Sequence, residues 1–515
     1  RAQDALQQGI SSLTTSSGQL LPGWHTLEQV GLRDGDSVNA LERNATIFAN
    51  DTAFAIIRGD GSVTTWGDEH SGGESSAFHD ELIGVHQISA SSCAFAAIRM
   101  DGQVITWGSA AGGGDSQAVQ CELRQVQSII ASAYAFAALL SDGRVICWGA
   151  PSSGGDCSAV KERLHEVQHI RASRFAFAAT RKDGTVVTWG AGTFGGDSSS
   201  VQSQLINVKK VQATHSAFAA LRADKRVICW GSEARGGDGA GKMCELVDVE
   251  GLEAFPSAFL AIRTDGTAVT WGCGFAGGDS GRIQRKLRDL KLLRHTQGAV
   301  AALRSDGQVF TWGCQGSGGC SLAIQPWLTN VKDIQGTKGA FAAIRQDGQV
   351  VAWGKKDSGG DTSRVEMHLN RVQSIRASAF AFAAIKSNSA IDGSNVVTWG
   401  NPEAGGDSSA VQEQLREVRH IQSTHFAFAA LRADGRVITW GSADAGGDSS
   451  AVQDELRDVH MYHSRIRFSN TSRWGITCLT PMSDVGTSAL EMSSVCTKRK
   501  RNASEEGDDT GDHMT

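Results

Sequence analysis

Two stretches of this chain carry residue types at spacings that do chemistry in other proteins. "HEVQH", His165 to His169, has the H-E-x-x-H spacing by which two histidines one helical turn apart hold zinc while the glutamate acts as base. "GGDGAGKM", Gly236 to Met243, nearly spells a phosphate-binding loop, but Met243 stands where a serine or threonine must hold magnesium. A recurring Gly-Gly-Asp raises calcium, and "KRKR", Lys498 to Arg501, has the form of a nuclear-import cluster beside the acidic run Glu505 to Asp512. Each loses force among its neighbours. His165 and His169 occupy the places of Arg416 and His420 in "LREVRHI", and the near-loop lies in an ordinary glycine-pair segment. One Asp per 41 residues is too sparse for a calcium solenoid and reads as a helix cap, and the basic cluster reads equally as part of a solvated tail. No catalytic residues, metal or cofactor are therefore expected, and the chain is not expected to be an enzyme.

What must position any site is a repeat. Trp-Gly occurs at Trp66, Trp107, Trp148, Trp189, Trp230, Trp271, Trp312, Trp353, Trp399 and Trp440, 41 residues apart with one exception of 46. Units of this period stack to bury a core that none can bury alone. Within "AFAALRADGRVITWG" two apolar runs flank Asp434-Gly435, the composition of a two-residue hairpin turn, so Ala427 to Arg432 and Arg436 to Trp440 are expected to pair. The fifth repeat writes Asp224-Lys225, where a lysine must take the glycine position or the turn must change. Both faces of these strands are apolar, as in a small sheet packed between two others. After the glycine pair, Val452, Leu456 and Val459 mark a short helical turn capped by Asp448 or Ser449, and an apolar position such as Ile170, Ile375 or Ile421 opens a further strand.

The chain has 515 residues, 40% hydrophobic and 20% charged, which is an ordinary globular composition. A net charge of -6 with dispersed basic residues argues against nucleic acid as the main partner. No apolar run approaches a membrane span, so no membrane is expected. Eleven cysteines without a C-x-x-C pair, with Cys147 and Cys229 at positions that are Thr106, Thr188 or Thr439 elsewhere, suit a reducing compartment, cytoplasmic or nuclear.

The apolar-x-Ala strand, the x-Asp-Gly-x-Val hairpin, V-x-x-W-G and the glycine pair resemble the regulator-of-chromosome-condensation repeat, and in length the short repeats of propeller-type beta-lactamase inhibitor proteins. The resemblance runs from residue 45 to about residue 460. It implies a mainly β fold, a propeller-type array of ten blades of about 41 residues, each with a short helical turn. Propellers usually have four to eight blades. A seven-bladed ring with three extra repeats, or an open twisted array, are the alternatives to one continuous assembly in which the strand around Ile47 meets Met461 to Phe468. The family includes exchange factors for small GTPases, photoreceptors, inhibitors and recruiting domains of ubiquitin ligases. Here "AFAAL" replaces its usual "H-S-L-A-L", so the histidine of the exchange factors is missing; the G-W-R-H-T run of the UV-B photoreceptors is also missing, and no ligase domain is encoded. Residues 11 to 43 resemble the second half of a ubiquitin-like fold. The expected organisation is a partial ubiquitin-like segment or N-terminal cap over 1–43, ten repeats over 44–463, and a disordered tail over 464–515.

Propeller loops gather on two faces, so positions that vary between uniform repeats are candidates for recognition. The pairs before each "AF" vary most and contain Tyr134, Arg174, Phe175, His215, Lys338, Phe380, His425 and Phe426, side chains typical of interface hot spots. Some of these aromatics also suit the role of covering blade ends. The insertion within Lys386 to Val397 lengthens one hairpin. The function expected is a non-enzymatic protein-protein interaction scaffold with a protein partner. The alternatives are a substrate-recruiting module tied to ubiquitin-system components and, third, a guanine-nucleotide exchange factor.

Overall fold

In the tenth repeat Ala427–Arg432 pairs antiparallel with Val437–Gly441, Phe428 opposite Trp440, as the alternation around Asp-Gly requires. The connection is one residue longer than the expected two-residue turn. Arg432 N–H donates to Arg436 O at 2.9 Å and Gly435 N–H to Arg432 O at 3.1 Å, which leaves a three-residue loop. Only the glycine has positive φ, 78° at Gly435, and Asp434 stays out of the left-handed region by accepting the Arg436 N–H on Oδ1 at 3.2 Å. A third strand, Val418–Ser423, pairs on the other edge of Ala427–Arg432 with a bulge between Val418 and His420. The computed structural model describes residues 10–15, 20–21, 37–42, 45–242, 244–387, 394–457, 463–468 and 476–478, and contains ten such three-stranded sheets.

The fifth repeat keeps the turn. Lys225 adopts φ 64° in the glycine position. A side chain there crowds its own backbone, so Lys225→Gly is expected to raise stability by about 0.5–1 kcal/mol, read as a higher urea midpoint at unchanged slope. A lower midpoint would show that the lysine side chain contributes more than its backbone strain costs.

Two 3-10 turns follow the Trp-Gly strand of each repeat, as Ala443–Ala445 before the glycine pair and Ser450–Val452 after it show, and the second is the helical turn expected there. The conserved-looking Asp caps the second: Asp448 Oδ1 accepts Ser450 N–H at 2.8 Å, while Ser449 turns its hydroxyl toward Thr439 at 2.9 Å. Leu456 is fully buried and Val452 half-buried; Val459 lies outside the described residues.

Stacking of the sheets explains the alanines, the tryptophan and the glycines together. Between the fourth and fifth repeats, Ala176, Ala178 and Val186 meet Val208, Val211, Phe218, Ala220, Ile228 and Trp230, with Leu205 closing the end. Alanine lets neighbouring sheets approach; Phe218 and Trp230 then fill the gap, stacked with centroids 5.3 Å apart. Each such ring contributes roughly 2–3 kcal/mol by burial. Trp230 Nε1 also donates to the carbonyl of Gly195 in the preceding repeat at 3.0 Å. The same bond recurs at all ten tryptophans, between 2.8 and 3.2 Å.

The circuit closes. Trp66 Nε1 donates to Gly446 O at 3.2 Å, and Ile47, Phe54, Ile56 and Trp66 pack against Ala427, Ala429, Val437 and Leu456. The first repeat thus sits against the tenth, and the seven-plus-three and open arrangements do not describe this chain.

Outside the repeats, Ser37–Glu42 pairs antiparallel with Ile10–Thr15 on one edge and His463–Phe468 on the other, with Leu20–Leu21 and Ile476–Cys478 at the margins. Residues 464–515 were expected to form a disordered tail, and two strands of this sheet come from that end of the chain. The rest of that segment, including Lys498 to Arg501, Glu505 to Asp512 and much of the ubiquitin-like stretch, lies outside the described residues.

Candidate functional site

The bend between first and second strands is built by one buried side chain. Three residues before the first Ala of the second strand, eight of the ten repeats carry a Ser or Thr, and in seven of them its hydroxyl accepts the strand's first N–H, as Ser132 does from Ala135 at 3.1 Å and Thr424 from Ala427 at 3.0 Å. Seven of the eight hydroxyls donate to a carbonyl of the following 3-10 turn, as Ser132 does to Ser153 at 2.9 Å and Thr424 to Ala445 at 2.9 Å. Asn50 substitutes in the first repeat, and Phe255 occupies the place in the sixth. These residues were not picked out in the sequence, although their fixed offset from "AF" is visible there.

The bends are also joined to one another. The N–H of the next residue donates to the equivalent carbonyl one repeat on: Ala133 to Arg174, Arg174 to His215, His215 to Pro256, Lys338 to Ala379, Ala379 to His425, and His425 to Asp51 across the seam, all at 2.8–3.0 Å. Pro256 has no N–H and interrupts this chain of donors. A backbone held from repeat to repeat makes a stiff rim.

All eight candidates stand on this rim, gathered into two clusters. In the first, Tyr134 stacks on Phe175 with centroids 6.0 Å apart, Phe194 meets Phe175 edge-on at 4.6 Å, and the Arg174 guanidinium lies 5.3 Å from the Phe175 centroid. His215 follows on the next bend. In the second, Phe380 and Phe426 are 5.9 Å apart, Lys338 Nζ lies 5.6 Å from the Phe380 centroid, and His425 Nδ1 is 3.4 Å from Asp51 Oδ1. The rings lean on those of neighbouring repeats, so covering blade ends and offering a surface are one arrangement. Aromatic pairs of this kind are worth roughly 0.5–1.5 kcal/mol beyond their burial. Phe194 was not among the sequence candidates; its signal is an aromatic in the variable stretch after Trp-Gly.

Burial holds both rim imidazoles below the usual histidine range. At His215 the Arg235 and Arg174 guanidiniums add to the effect, and at His425 the Asp51 carboxylate opposes it without reversing it. Both rings are neutral at neutral pH, so the positive charge against the aromatic rings comes from Arg174 and Lys338.

The catalytic-looking motifs are structural. His169 lies on the strand Val167–Ala172 and Glu166 before it has φ 53°, so no helix sets the two histidines on one face. Gly239–Gly241 forms a 3-10 turn, and Met243 lies outside the described residues. Among the described residues no three His, Cys, Asp or Glu side chains converge as a metal site requires. Cys147 and Cys229 are buried, and burial pushes the Cys229 thiol up to about 12. Among the described residues no helix is long and apolar enough to cross a membrane.

No family model matches this chain, and no curated protein matches it. Solved structures do. Prp20p from Saccharomyces cerevisiae, described with its binding properties to Gsp1p and histones, is 13% identical with a TM-score of 0.33, covering 69% of this chain and 88% of its own. The ectodomain of the Physcomitrella patens receptor kinase CR4 is 18% identical with a TM-score of 0.28, covering 44% of this chain; this chain spans 60% of that ectodomain. The CRINKLY WD40 ectodomain of the Arabidopsis thaliana receptor kinase ACR4 is 15% identical with a TM-score of 0.29, covering 51% of this chain and 90% of its own. At these scores the ten sheets themselves, not the likeness, carry the fold.

Proposed function

We propose that this chain is a non-enzymatic interaction scaffold of the regulator-of-chromosome-condensation-like class, and that it engages a protein partner through the rim that carries Tyr134, Arg174, Phe175, Phe380 and Phe426. The supporting observation is the pairing of cation and aromatic ring in both clusters, on bends whose backbones are hydrogen-bonded to one another. Aromatic and arginine side chains dominate binding energy at interfaces, and a surface already ordered loses little freedom on association.

The test is crosslinking and mass spectrometry from cell extract with the full chain as bait, comparing the native protein with the combined variant Tyr134→Ala, Phe175→Ala and Phe426→Ala. Partner recovery is expected to fall by about tenfold or more, because hot-spot truncations each cost about 2 kcal/mol. Equal recovery by a variant with the native circular dichroism spectrum would rule the rim out.

A further inference from the structure

The first strands of successive repeats lie side by side and are tied by side chain to backbone. Ser89 Oγ donates to Ile129 O at 2.9 Å, Gln212 Nε2 to Leu252 O at 3.2 Å, Arg294 Nε to Ile334 O at 3.0 Å, and Gln422 Nε2 to Ile47 O at 3.3 Å, the last across the seam. Strands adjacent in a closed cycle enclose an axis. Each is an edge strand of its sheet, so nothing pairs with its inner side. The second residue of the strand is exposed in repeat after repeat, as Gln127, Lys209, Lys291 and Arg419 are, so the strands that ring the axis carry side chains open to solvent.

Its lining is basic in an acidic chain. The ten first strands contain eight lysines and arginines against three acids, Glu250, Glu253 and Asp333, whereas the whole chain carries -6. Two of the acids are matched: Glu253 with Lys210 at 3.0 Å and Asp333 with Arg294 at 4.0 Å. Among the described residues Arg171, Lys209, Lys291, Arg376 and Arg419 have no carboxylate partner. Like charges drawn together around a confined axis repel one another and raise the local concentration of anions.

We propose that the axial opening binds an extended, carboxylate-rich polypeptide segment. Charge complementarity supplies the attraction to an extended acidic chain. A nucleic acid fits less well: Phe48 is the single Phe, Tyr or Trp of the first strands for bases to stack on, and three carboxylates interrupt the positive wall. This site is separate from the aromatic rim and does not depend on it.

The experiment is fluorescence anisotropy of a fluorescein-labelled poly-glutamate peptide with the full chain. Saturable binding that weakens with salt is expected, with a loss of about tenfold or more in the combined variant Arg171→Gln, Lys291→Gln, Arg376→Gln and Arg419→Gln. Glu250→Gln is expected to tighten binding, and the rim variant Tyr134→Ala, Phe175→Ala, Phe426→Ala to leave it unchanged. An equal loss from the outer set Lys182→Gln, Arg226→Gln, Arg282→Gln and Arg364→Gln, or no saturable binding, overturns the proposal. So does tighter binding of a poly-dT oligonucleotide that the axial substitutions abolish, which would assign the opening to nucleic acid.

Discussion

Gly446→Ala is expected to destabilise the protein by about 2–5 kcal/mol, as much as the same change at Gly195 in the body of the ring. Gly446 has φ 86° and a Cβ built on it lies 2.5 Å from Cδ2 of the fully buried Phe54; at Gly195, φ 91°, the corresponding distance to Phe218 is 2.5 Å. Strain and overpacking therefore add. Gly84→Ala isolates the first term, since Gly84 has φ 66° but nothing within 4 Å of its Cβ, and it should cost only about 1–2 kcal/mol. Urea midpoints of the three variants decide whether the ring is closed in solution. If Gly446→Ala behaves like Gly84→Ala, then Phe54 is not seated on the tenth repeat and the seam stands open.

The seam shows how far a single sequence could be read. Period, hairpins and buried alanines follow from local pattern, because strand alternation and Asp-Gly act within one repeat. The partner of Trp66 does not. Its indole bonds to a glycine 380 positions later, and the equivalent bond elsewhere spans 35 residues, or 40 across the insertion, an offset that the 41-residue period conceals. The rim was legible for a related reason: variation at Tyr134 or Phe175 stands out against a constant frame. The hydroxyls of Ser132 and Thr424 beneath it went unnoticed because eight of the ten repeats carry the same small hydroxyl side chains there. In the same way, the charges of Lys291 and Arg419 look like ordinary strand polarity until ten strands are set around one axis. The short helical turn expected after the glycine pair is the 3-10 turn Ser450–Val452; the turn before the pair, Ala443–Ala445, was not foreseen, and Gly446 in the left-handed region ends it.

The second large effect is non-additive. Phe218→Ala alone should cost about 3–5 kcal/mol, because it empties a pocket walled by Trp230 and the alanines of the fourth repeat. Gly195→Ala alone should cost about 2–5 kcal/mol, because its methyl enters the space that Phe218 holds. With both changes the clash disappears and the new methyl occupies part of the vacated volume, leaving the next neighbour, Trp230 Nε1, 3.6 Å away. Only the backbone strain of a left-handed alanine then remains from the glycine substitution. The double variant is therefore expected to be more stable than the sum of the singles by about 1–3 kcal/mol, whereas pairing Phe218→Ala with the remote Gly84→Ala should be additive within about 0.5 kcal/mol. Chemical denaturation of the native protein, the three single variants and the two double variants yields both coupling energies. A coupling of zero at Gly195 would mean that the glycine pair serves its own turn alone, and that the contact between turn and neighbouring ring does not hold the repeats together.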